Sequence, residues 1–149
     1  MSILINEGSQ YSVNGKRGAR LKFAKVVFTA AGIWGILVTL PIYFLFDYIG
    51  RHSPPAINHP EFYYGFAGVT FAWQFVFLLI GNDPYRYRII MLPSILEKSS
   101  YLLAILVLFV QHHISASQAL PATSDLVWAV LFITSFMKTK SKRERPELP

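Results

Sequence analysis

Asn82–Tyr101, NDPYRYRIIMLPSILEKSSY, lies inside an otherwise apolar chain, turns it, and then carries a charged pair into the next apolar run. Asp83 before Pro84 has the chemistry of a helix start, because an aspartate accepts hydrogen bonds from the first free amides and proline lacks the amide that the first helical position leaves unused. One apolar run ends at Ile80 and the next begins at Ile89, so the segment between them predicts an antiparallel helical hairpin. Arg86 and Arg88 alternate with Tyr85 and Tyr87. This composition suits an anchoring band at a membrane interface, with rings at headgroup depth and guanidinium groups on phosphate. Glu97 and Lys98 follow inside apolar sequence.

Working outward, the 149 residues are 53% hydrophobic and only 15% charged, against roughly a quarter charged in soluble domains. That composition predicts one all-α membrane domain. The formal charge of +6 does not indicate a nucleic-acid partner, because the basic residues lie in blocks flanking apolar runs and not along one polar face. Without cysteine there is no disulfide framework, thiolate metal site or redox dithiol.

Hydropathy predicts a four-helix bundle over 21–139, with spans at about 26–48, 63–80, 89–110 and 122–139. A disordered basic leader (1–20) precedes it and a basic tail (140–149) follows. The run from Val26 to Phe46 is longer than the apolar part of a secretory signal, and no A-x-A pattern follows, so it reads as a retained anchor, with a kink expected at Pro41. Phe62, Tyr63 and Tyr64 form an aromatic belt ahead of the second span. Lys and Arg concentrate in the leader, at 86 and 88, and in the tail, while the opposite side has only Arg51. This bias predicts that both termini and the 81–88 loop are cytoplasmic. Small residues four apart, Ala31 with Gly35 and Gly68 with Ala72, predict a close seam between the first two helices.

An ionised side chain at the centre of a membrane helix costs about 2.5–3.5 kcal/mol, so Glu97 is the candidate functional residue. A straight third helix puts it about 12 Å inside the hydrocarbon; a chain redirected at Pro93 leaves it at about 6 Å. Ser94, Glu97, Tyr101, Ala104, Leu108 and Gln111 recur at helical spacing and predict one stripe facing the bundle. One reading is a protonatable or ligand-binding site of Glu97 with Gln74, Ser94, Tyr101 and Lys98 around it. The other is structural: an interhelical hydrogen bond from Gln74 to Glu97, with Lys98 snorkelling to lipid phosphate. On the other side, Asp47, His52, His59, Glu61, His112, His113 and Asp125 include zinc-ligand types but no zinc-binding spacing, so no metal site is expected. Asp125 reads as a first-turn residue favoured by the helix dipole, and Asp47 with Arg51 as an i,i+4 pair.

The run HPEFYYGFAGVTFAWQFVFLLIGNDPYRYRIIMLPSILEK, with its DP-x-RYR-xx-M-x(5)-EK pattern, resembles small uncharacterised bacterial inner-membrane proteins and, more loosely, the DoxX-like four-helix families. The resemblance implies four transmembrane helices in a bacterial plasma membrane and brings no catalytic residues or cofactor. The residues favour a non-enzymatic protein that binds a lipophilic ligand or a partner membrane protein through its polar stripe. Two alternatives remain open: a small proton-coupled transporter acting as a homo-oligomer, and a membrane lipid isomerase or other lipid enzyme with Glu97 as acid or base.

Overall fold

Backbone amides in hydrocarbon have no water to bond, and a helix satisfies them within one segment. The four long apolar runs are helical in the computed structural model, which describes residues 2–52 and 57–139. In chain order the elements are α1 (Ser2–Ile42), α2 (Phe46–His52), α3 (Pro60–Asn82), a 3-10 turn (Arg88–Ile90), α4 (Met91–Val110), α5 (Ala116–Ala119) and α6 (Ala122–Lys138). No strand occurs among the described residues. Gly18–Ile42, Pro60–Asn82, Arg88–Val110 and Ala116–Lys138 are each long and apolar enough to cross a membrane. The chain is a four-helix, multi-pass membrane bundle.

Several boundaries differ from the sequence expectation. The leader, expected to be disordered, is helical and continuous with the first span; elongation from a stable helix is cheap, and Gly15 and Gly18 do not interrupt it. α1 ends one residue after Pro41, whose missing amide and ring contact with the carbonyl four residues back weaken the last turn, and Phe46–His52 forms a separate short element. Asp83 does accept backbone hydrogen bonds, from the amides of Tyr85 (3.2 Å) and Arg86 (3.1 Å), but what it organises is a turn. The helix proper starts at Met91. Pro93 falls in the first turn of α4, where its missing amide costs nothing, so it does not redirect the chain. The tail 140–149 lies outside the described residues.

Packing follows side-chain size. α1 lies against α3 and α6, and α6 lies against α4, whereas α3 and α4 are joined by a short turn yet meet only sparsely. The core is aromatic: Phe28 of α1 stacks on Phe132 of α6 at 4.2 Å between centroids, and Phe77 of α3 meets Phe132 at 5.0 Å and 67°. All three rings are fully buried.

The close seam between α1 and α3 exists, but its α3 half is not the one expected. A Cβ built on Gly35 would overlap the Gln74 side-chain amide, and one built on Gly32 would come within 2.9 Å of the Gln74 carbonyl oxygen. Ala67, Gln74 and Gly81, seven residues apart, are buried on α3, while Ala72 is exposed and Gly68 faces the Tyr43 hydroxyl. Gly68 and Ala72 sit about 100° of helical rotation or more away from the line through Gln74, so they miss α1.

Candidate functional site

Lys98 Nζ lies 3.0 Å from Asp125 Oδ1 of α6 and 3.4 Å from Glu97 Oε2 of its own helix. The three side chains are 10%, 17% and 18% exposed for Lys98, Asp125 and Glu97 respectively. Neighbouring positions on a helix point about 100° apart, so Glu97 and Lys98 meet only because both side chains turn toward the α4–α6 interface. Nζ also donates weakly to Glu97 Oε1 at 3.5 Å, whereas the buried Oε2 receives no hydrogen bond. The aromatic core closes the α3 side, with the Phe77 ring centroid 5.5 Å from Nζ. Tyr101, one turn beyond, meets Phe66 of α3 at 6.3 Å.

Depth makes this cluster unusual. At about 1.5 Å per residue Lys98 is about 15 Å along its span from Arg88, and Asp125 about 20 Å from Lys138, so both fall near the middle of the bundle. An isolated charge there is expensive, and such residues normally pair or face an internal site. The cluster contains two carboxylates and one ammonium, a formal charge of minus one when all are ionised. Lys98 therefore offsets one carboxylate and leaves the other uncompensated.

The structure brings together some of the expected residues and separates others. Glu97 and Lys98 are in the cluster, Tyr101 is half-buried beside it, and Ser94 is fully buried one turn earlier, its hydroxyl donating to the Ile90 carbonyl at 2.8 Å. Lys98 does not snorkel to lipid, because Asp125 gives it a closer partner inside the bundle. Gln74 does not bond Glu97; it is buried against α1, with Nε2 donating to the Thr70 carbonyl at 2.7 Å. The inward stripe of α4 is Met91, Ser94 and Lys98; it shares Ser94 with the expected line, replaces Glu97 with its neighbour, and leaves Ala104, Leu108 and Gln111 exposed. Asp125 lies in the first turn of α6, as expected. The apolar crossing segment nevertheless begins at Ala116, with Pro121 in helical dihedral angles, so this first turn sits well inside the segment.

The two arginines of the anchoring band have different surroundings. Arg88 caps α6: its Nε donates to the Thr139 carbonyl, its Nη2 to the Phe136 carbonyl at 3.4 Å, and its guanidinium stacks on the Phe136 ring at 3.9 Å. A cation at a helix C-terminus satisfies carbonyls that have no partner within the helix. Arg86 is exposed and lies over the Tyr87 ring at 5.4 Å, which leaves it available to the interface. Tyr85 sits in the same turn.

At the opposite end the histidines have local partners. His52 Nδ1 is 2.8 Å from the Tyr48 carbonyl oxygen and His59 Nδ1 is 2.9 Å from Glu61 Oε1. His112 has a positive φ of 58°, and its amide and that of His113 bond back to Phe109 and Leu108, which ends α4 in a left-handed cap. Arg51 bonds the Asp47 backbone carbonyl at 3.1 Å, not the carboxylate expected from the i,i+4 spacing. No group of three or more metal-ligand side chains occurs among the described residues.

No protein-family model, curated protein or solved structure matches the chain.

Proposed function

We propose that this chain is a non-enzymatic integral membrane protein that binds a lipophilic ligand with a polar head at Glu97, Lys98 and Asp125. The supporting observation is the mid-span ion cluster with a carboxylate oxygen that receives no hydrogen bond. Tyr101 and Phe77 stand beside it, and Phe66 lies against Tyr101. A purely structural ion pair needs one acid and one base. This cluster has a second acid near the middle of the bilayer, where its cost calls for an occupant. Under this reading the end bearing Arg86, Arg88 and Lys138 faces the cytoplasm of a bacterial plasma membrane, supported by the concentration of Lys and Arg there.

Native mass spectrometry of protein released from its own membranes tests the reading. The wild-type chain is expected to retain a lipophilic adduct that Glu97→Gln loses at unchanged helicity; an empty wild-type chain would oppose it. The surplus carboxylate also favours a second reading, proton-coupled transport by a homo-oligomer. Identical flux from wild type and Glu97→Gln in liposomes, with a proton gradient in either direction, would remove that alternative.

A further inference from the structure

The charge count and the aromatic surroundings of the cluster specify the kind of head group it accepts. We propose that the occupant is a hydrophobic monocation, and that one proton competes with it for the same surplus negative charge. This inference rests on the ligand-binding reading above.

An anion would bring a third negative charge to one lysine whose Nζ already lies 3.0 Å and 3.4 Å from two carboxylates. A neutral head would leave the formal charge at minus one. A monocation brings it to zero, and so does a proton. Aromatic faces add a second preference, because ring quadrupoles attract cations and do so more strongly away from water. Phe77 already has an ammonium 5.5 Å from its centroid, and the Phe66–Tyr101 pair lies on the same α3-facing side. Phe77 is fully buried, so the ring surface open to an occupant is that of the Phe66–Tyr101 pair, where α3 and α4 pack least.

No other charge lies in the middle of the spans to disturb the count. The titratable groups around Glu97 are Lys98 on α4 and Asp125 on α6, and Tyr101 lies near Asp125. The α1 span has no titratable side chain between Val26 and Ile42, and α3 has none between Gly65 and Asn82.

Tetraphenylphosphonium and tetraphenylborate provide a matched test, since they share shape and apolar surface and differ in the sign of their charge. The full-length protein in lipid nanodiscs should bind tetraphenylphosphonium saturably and tetraphenylborate no more than empty nanodiscs do. Phosphonium affinity should rise by about tenfold per pH unit wherever the competing proton is bound, the slope expected for exchange of one proton. Glu97→Gln and Asp125→Asn should each weaken phosphonium binding by at least about tenfold, the factor that corresponds to about 1.4 kcal/mol. The wild-type comparison needs no variant to fold. Equal binding of the two ions, or phosphonium affinity that stays flat from acid to alkaline pH, would overturn the inference. If phosphonium fails while the wild-type chain still retains an adduct that Glu97→Gln loses, this inference falls and ligand binding stands. If the adduct is missing as well, both fall.

Discussion

Lys98 is surrounded by more negative charge than it can neutralise, and this asymmetry sets what each single substitution does. Removing the lysine leaves Glu97 and Asp125 as like charges in a low-dielectric interior, and breaking a buried ion pair in this way costs about 3–5 kcal/mol. Removing one acid leaves a neutral one-to-one pair. Lys98→Met is therefore expected to lower unfolding free energy by about 3–5 kcal/mol, while Asp125→Asn changes it by about 1 kcal/mol, the value of a single hydrogen bond. Detergent-titration unfolding followed by the fluorescence of Trp34, Trp73 and Trp128 measures both. Equal losses would show that charge balance does not govern the cluster. Glu97 and Lys98 were legible in the sequence because charges inside an apolar run are conspicuous. Their partner was not, because Asp125 is the first-turn acid of α6 that the helix dipole already explains, and nothing in the spacing aims it at Lys98. The direction of Lys98 depended on that partner.

Among the elements, α1 and α3 approach closely because Gly35 leaves room for the Gln74 amide. The spacing of Ala31 and Gly35 on α1 announced a seam, and it was legible as a small-residue pattern. The matching face of α3 was not, since its central member is a glutamine that bonds its own helix and so counts as polar in any pattern of small residues. Gly35→Ala should destabilise the bundle by about 1–3 kcal/mol through overpacking. Gly68→Ala should be close to neutral, because its added methyl meets only the Tyr43 hydroxyl at 3.3 Å and the glycine's helix penalty is relieved. Combining Gly35→Ala with Gln74→Ala should restore most of the loss, as the clash disappears with the amide. Thermal unfolding in a fixed detergent compares the four proteins. A double variant no more stable than Gly35→Ala would place the strain elsewhere than at this contact.

At the scale of the whole molecule, hydropathy and length made the four crossings legible, because each run is long enough on its own to decide the matter. Helix adjacency was not legible: the short Asp83–Tyr87 turn suggested that α3 and α4 pack together, but the large rings of Phe66 and Phe77 face α4 while small residues draw α3 onto α1. Contacts at one end fix which termini belong together. Arg88 caps α6, and Lys138 lies 4.2 Å over the Phe23 ring of α1, so the start of the α1 span, the α3–α4 turn and the end of α6 share a level. An even number of crossings requires this. The chain has no cysteine, so single cysteines report position without background. In intact cells a membrane-impermeant maleimide is expected to label Gly50→Cys and Ser117→Cys, and to reach Gly15→Cys and Asn82→Cys only after permeabilisation. The reverse pattern would invert the orientation argued from Lys and Arg and keep the bundle. Labelling of Gly15→Cys and Asn82→Cys from opposite sides would break the even crossing count, because one of α1 and α3 would then fail to span, and the mid-membrane position of Glu97, Lys98 and Asp125 would lose its basis.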